Sequence, residues 1–155
     1  LRHIAESEKV KLLDDGLDAI FDLCGGDLRR AVNTLQAAAS TGKPITSEIV
    51  YSVVGRANPA DVREMIKLAV NGDFVGAREK LRELLLKYGL AGSDIVKQVH
   101  FEIFRLNIPE KWKVKLADIV GEIDFRLIQG SDEEVQLSAL LAKLTEAGYD
   151  IKRGL

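Results

Sequence analysis

Leu17-Asp18-Ala19-Ile20-Phe21-Asp22-Leu23-Cys24-Gly25-Gly26-Asp27-Leu28-Arg29-Arg30-Ala31-Val32-Asn33-Thr34-Leu35 reads as two helices joined by a tight turn. Leu17, Ile20, Phe21 and Cys24 recur at three- and four-residue spacing, which lays one apolar stripe along a helix. Gly25 and Gly26 end it, because glycine takes the left-handed cap conformation without steric cost. Asp27 then caps the next helix, whose stripe is Leu28, Ala31, Val32, Leu35 and Ala38. Gly42 and Pro44 break that pattern, and Thr46 caps a shorter segment through Ile49, Val50 and Val53.

The same grammar continues to the end of the chain. Gly55 to Asn58 is a short polar connector and marks a domain boundary. Asn58-Pro59 starts a helix, since proline fits the first helical position where its missing N–H costs nothing. Val62, Met65, Ile66 and Ala69 form its buried face, and Gly72 stops it. Asp73 caps a second helix, with Phe74, Ala77, Leu81, Leu84 and Leu85 inward, up to Gly89. Ser93 is the expected cap of a third, buried along Ile95, Val96, Val99, Ile103 and Leu106 until Pro109. A fourth carries Trp112, Leu116, Ile119, Val120, Ile123 and Leu127. Ser131 with Glu134 reads as a capping box, and the last helix runs through Leu137, Leu140, Leu141 and Leu144 to Gly148. No segment alternates as a strand would. The expectation is an all-α chain: three helices in residues 1–55, then a five-helix bundle in residues 56–155. A domain of about 55 residues is marginal alone, whereas five helices can close a core of their own.

Composition narrows the function classes. At 46% hydrophobic residues the chain is globular rather than disordered, and 30% charged residues predict a densely ionic surface. A formal net charge of −2 gives no overall basic excess for nucleic acid, so any such contact needs local clustering. The single cysteine, Cys24, excludes an intrachain disulfide and suits a reducing cytoplasm. No apolar run reaches the ~20 residues of a membrane span, and the N-terminus lacks a secretory pattern. The chain begins with Leu1 in what already reads as helix, so a piece of a longer protein is expected.

Most catalytic arrangements are missing. His3 and His100 stand far apart with no ligand-type residue at metal spacing, so no zinc or other metal site is expected. Cys24 lies on an apolar stripe, where a buried inert thiol is the ordinary reading. Gly42-Lys43 resembles the end of a phosphate loop, but Pro44 stands where Ser or Thr should meet Mg²⁺, and the upstream glycine is Ala37. Asp132-Glu133 opens a helix rather than ending an apolar strand, so it is helix-start charge and not an ATPase acidic pair.

Arg29 is different. It falls in the first turn of a helix, where a cation opposes the helix dipole and invites an explanation. A guanidinium there can bind phosphate in a fork. On the residues alone a second reading stands beside this one, with Asp27 as the cap and both Arg29 and Arg30 merely solvated.

The order Gly-Asp-x-Arg-x-x-x-Asn from Gly26 to Asn33 resembles the sensor 2 motif of replication factor C and related AAA+ clamp loaders. Ile4-Ala5-Glu6-Ser7-Glu8-Lys9-Val10 through Gly26 is similar to the lid helices of archaeal small subunits. Val54-Gly55-Arg56-Ala57-Asn58-Pro59 resembles the lid-to-collar crossing. Tyr88-Gly89-Leu90-Ala91-Gly92-Ser93-Asp94-Ile95 and Gly121-Glu122-Ile123-Asp124-Phe125-Arg126-Leu127 resemble collar segments. Leu23 and Cys24 depart from the small or β-branched residues usual before the Gly-Asp turn.

The resemblance implies a division of labour. Residues 1–55 would be a lid over a nucleotide, with Arg29 contacting the terminal phosphates of ATP; Arg30 has no comparable warrant. Residues 56–155 would be a collar that packs against other subunits, four small and one large, in a pentamer. That complex opens the sliding clamp and places it on primer–template DNA. ATP and Mg would be bound mainly by an N-terminal ATPase domain that carries the Walker motifs, so this chain by itself would not be catalytic and would hold no cofactor. Leu68, Val75, Leu86, Phe101, Phe104 and Val114 lie outside the main stripes and are candidates for subunit contacts. The alternative is the lid and C-terminal region of another AAA+ DNA-transaction ATPase, which should end in a winged helix with a strand pair. A helix-turn-helix DNA-binding domain is disfavoured, because Ala31, Val32, Leu35, Ala37, Ala38 and Ala39 suit packing rather than a groove.

Overall fold

The computed structural model describes residues 1–154. Among them are nine α-helices, and the only extended pairing is an isolated parallel bridge between Leu12 and Ile45. The chain is all-α, as its periodicity predicts. It divides into two compact units, Leu1–Asn58 and Pro59–Leu155.

The first unit holds α1 (Arg2–Ser7), α2 (Asp14–Cys24), α3 (Leu28–Ala39) and α4 (Ser47–Val53). The additional short α1 arises because the approach to α2 is broken. Lys9 takes a left-handed φ of 57°, and the chain then runs extended beside the segment before α4. There the N–H of Leu13 donates to the Ile45 carbonyl at 3.0 Å, and the N–H of Ile45 to the Lys11 carbonyl at 2.8 Å. Helices α2, α3 and α4 pack on one another around Ile20, Leu35, Ala38, Ile45 and Val50. Two residues read as core are not in it: Phe21 is 68% and Leu28 66% exposed. Gly16 accounts for the shift on α2. A Cβ there would meet the Ile45 backbone, so Gly16 permits a close approach that turns Ala19, Ile20 and Cys24 inward and Phe21 outward.

The second unit holds α5 (Pro59–Val70), α6 (Phe74–Tyr88), α7 (Gly92–Ile103), α8 (Glu110–Ile128) and α9 (Glu133–Arg153). Helix α9 packs against all four others, α5 lies against α6 and α7, and α7 against α8. Ile66, Leu84, Ile95, Ile103, Leu116, Leu140 and Leu144 are sealed between them. Each such side chain contributes about 1.5–3 kcal/mol relative to exposure, which is why this unit can carry its own fold.

Three local expectations fail here. Helix α7 begins at Gly92, not after Ser93, and the Asp94 carboxylate accepts from the Ala91 N–H at 3.2 Å. The cap of α9 is Asp132, which accepts from the Val135 N–H at 2.9 Å, while Glu134 is drawn off into an ion pair with Arg78 at 3.0 Å. Gly148 does not end α9. It is buried within the helix against the carbonyl of Val70, so it is a close-packing glycine and the helix continues to Arg153.

Candidate functional site

The Gly25–Asp27 turn builds the site at Arg29 from backbone outward. The N–H of Gly25 (φ 55°, ψ 32°) donates to the Phe21 carbonyl at 3.0 Å, and that of Asp27 to the Cys24 carbonyl at 3.0 Å. Gly26 follows with φ 91°. Two successive left-handed residues reverse the chain so tightly that α3 begins at once. The Asp27 carboxylate accepts from the Arg30 N–H at 3.0 Å, and the Asp27 carbonyl from the Ala31 N–H at 3.0 Å.

Arg29 is thus the second residue of a capped helix on a short, fully hydrogen-bonded turn. Its side chain is exposed, as is that of Arg30, and neither forms an ion pair or side-chain hydrogen bond among the described residues. Asn33 lies one turn further along the same exposed side of α3, while Ala31, Thr34, Leu35 and Ala38 face inward. The floor beneath the turn is apolar: Cys24 is 7% exposed, its Sγ 4.0 Å from the buried Thr34 hydroxyl. The thiol is a packing element.

In the second unit, five of the six off-stripe apolar residues face outward. Val75, Leu86, Phe101, Phe104 and Val114 are exposed, and Leu68 is half-buried. His100 stands edge-on to the rings of Phe101 (5.8 Å) and Phe104 (5.2 Å). Sequence reasoning missed Phe125, Ile128 and Val135, which are also exposed. Val114, Gly121, Phe125 and Ile128 repeat at three-, four- and seven-residue steps on the side of α8 away from Leu116, Val120 and Ile123. That second stripe was the available signal. Among the described residues no group of side chains could hold a metal ion, and no helix is long and apolar enough to cross a membrane.

Comparison with known proteins bears on both regions. Residues 57–143 match the family described as Replication factor C C-terminal domain. This chain belongs to the replication factor C family. Residues 1–40 match a second family model, described as RCF1/5-like, AAA+ ATPase lid domain. The replication factor C small subunit of Staphylothermus marinus is 53% identical over 154 residues, covering 98% of this chain and 46% of that protein. The small subunit of Sulfurisphaera tokodaii is 49% identical over 156 residues, covering 99% of this chain and 47% of that one. That of Pyrococcus horikoshii is 54% identical over 148 residues, 96% of this chain and 17% of its own length. The chain therefore spans about half the length, or less, of these replication factor C relatives. The lid match contains the whole Gly25–Arg29 turn, and the replication factor C C-terminal match contains every outward apolar residue from Val75 to Val135.

Proposed function

We propose that this chain is the lid and collar of a clamp-loader small subunit. Residues 1–55 form the lid and read the terminal phosphates of ATP through Arg29. Residues 56–155 form the collar that holds the subunit among other small subunits and a large one. The observation that carries the reading is Arg29 itself, an exposed and unpaired guanidinium fixed at the mouth of α3 by the Gly25–Asp27 turn. ATP and Mg are held mainly by the ATPase domain of the intact protein, and this chain supplies no catalytic group. The sliding clamp and primer–template DNA are engaged by the assembled complex, in the cytoplasm.

Energetics fit a switch. A hydrogen bond to a charged group is worth roughly 1.5–3 kcal/mol. Made in only one nucleotide state, that contact shifts a lid equilibrium by about one to two orders of magnitude. A lid that turns on a collar held by its neighbours would move the ATPase domains relative to the ring. In the intact subunit, Arg29→Ala should weaken ATP-dependent clamp binding by ~10-fold or more, with Arg29→Lys between the two. An unchanged nucleotide response in Arg29→Ala sinks the assignment. The outward apolar side chains of α6, α7 and α8 support the collar role, since a helix bundle that stayed alone in water would gain nothing from them.

A further inference from the structure

The outward face of α7 and its C-terminal turn joins aromatic rings to cations. From Lys97 onward the exposed residues are Lys97, His100, Phe101, Phe104 and Arg105, at steps of three, four, seven and eight that mark one side of a helix. Phe101 is 61% and Phe104 49% exposed, and His100 stands edge-on to both, so the three rings hold one another in place. The start of α8 adds charge beside them. Lys111 and Lys115 are exposed, Lys115 lying 4.6 Å from the centre of the Trp112 ring. Lys113 donates to the Phe104 carbonyl at 2.9 Å, which ties this segment to the rings.

Charge here departs from that of the chain as a whole. Residues 97–115 hold five cations against two acids, a net +3 within a chain of −2, so the other residues together carry −5. Of the two acids, Glu102 is buried beneath the face, bound to Arg63 of α5 at 3.1 Å and to Arg105 at 3.0 Å. Glu110 is exposed. From α9, Glu146 interacts with Lys115 but is already paired with Lys143 at 2.9 Å. This is the local clustering that a chain without an overall basic excess needs to hold a polyanion.

We propose that this α7–α8 face binds single-stranded nucleic acid, with bases stacked on Phe101 and Phe104 and phosphates held by Lys97, Lys111, Lys113 and Lys115. Exposed rings among cations suit an unpaired strand, because every base offers a π face for stacking and a duplex hides those faces between neighbouring pairs. An acidic peptide would use the cations and leave the rings idle. Phe101 and Phe104 lie three residues apart, about 4.5 Å along the helix axis, against roughly 3.4 Å between stacked bases, so neighbouring bases reach successive rings. The contact belongs to this chain itself, whereas the clamp-loader reading leaves DNA to the assembled complex. It involves neither Arg29 nor subunit packing, and it leaves Val75 and Leu86 to the collar.

Fluorescence anisotropy of a labelled oligothymidylate of about 16 nucleotides, titrated with the 155-residue chain at rising salt, tests this. The strand should bind about tenfold tighter than a duplex of equal length. Its log K should fall against log salt with a slope of about −3, from four phosphate contacts at about 0.7 each. Phe101→Ala and Phe104→Ala should each weaken binding about tenfold, while Phe101→Trp should keep it. Lys111→Gln should make the salt slope shallower by about 0.7. These sites are exposed, and unchanged helical content and melting of each variant verify the fold. Binding that ignores both alanine substitutions, a duplex held as tightly as the strand, or full displacement of the strand by an equal concentration of polyglutamate would each reduce the face to a general attractor of anions and overturn the proposal. So would the absence of binding at low salt. The clamp-loader reading is untouched by any of these results.

Discussion

At the scale of single residues, Arg29 combines poor local energetics with free access. A cation at the second position of α3 opposes the helix dipole, and no acidic residue follows the Asp27 cap in that first turn. In this chain alone, Arg29→Ala should leave the melting temperature unchanged or slightly raised, and Arg29→Glu should raise it further. Thermal denaturation followed by circular dichroism checks this. A clear loss of stability in Arg29→Ala would mean that the residue is structural. Gly148 is the opposite case, with nothing to do with ligands and no room for change. A methyl group there would run into the Val70 carbonyl inside the bundle, so Gly148→Ala should destabilise by about 1–3 kcal/mol in a denaturant titration.

Helices meet their neighbours through caps and ion pairs that respond to pH. The start of α4 is capped twice: Thr46 Oγ1 accepts from the Ile49 N–H at 3.3 Å, and the Asp15 carboxylate of α2 accepts from the Ser47 N–H at 2.8 Å. The Ser47 bond holds the Asp15 pKa below the usual carboxylate range, against a smaller opposing effect of burial. The folded state therefore binds that proton more weakly than the unfolded chain. The stabilisation is complete above the usual carboxylate pKa and is lost as pH falls through the lowered folded value. Asp15→Asn should flatten the acid limb of a melting-temperature profile, and an unaltered limb would assign it to other groups. Between α5 and α6, Lys80 reaches Glu64 (3.1 Å), Glu83 (3.6 Å) and Asp61 (3.8 Å). Burial alone would lower its pKa, but the Glu64 bond and the three negative charges outweigh that and raise it. The pairing is thus fully present below the ordinary ammonium pKa and fades only as pH climbs through the raised one. Lys80→Met should lower the melting temperature at neutral pH, with the deficit shrinking only at alkaline pH as the raised Lys80 ammonium loses its proton.

For the whole molecule, the two compact units differ in what they can do alone. Residues 59–155 bury long helices on both sides of α9, and a fragment of that length should fold cooperatively. Residues 1–58 close a core from three short helices, with α1 and a single bridge at its edge, and should be marginal. Circular dichroism melts of the two fragments would separate these outcomes. A sharp high-temperature transition in residues 1–58 would contradict that expectation. The wet, ionic exterior adds little to either unit, since exposed pairs such as Arg2–Asp14 are worth at most about 1 kcal/mol.

Most of what neighbours close along the chain govern was legible in the residue order. The helices from α2 to α9, their glycine and aspartate boundaries at Gly25, Asp27, Asp73 and Gly89, and the position of Arg29 on the capped start of α3 all follow from periodicity and local hydrogen bonding. Tertiary structure alone decided how each helix is rolled about its axis and how close it comes to the next. Phe21 faces water because Gly16 lets α2 rest on the Ile45 backbone. Gly148 lies inside α9 because α5 presses against it, and Glu134 leaves its expected cap because Arg78 stands across from it. Leu81 and Leu85 of α6 line one groove with Leu137 of α9 only because residues more than fifty positions apart in the chain converge there. A helical repeat fixes which side chains share a face. Which face is buried depends on partners that no local window contains.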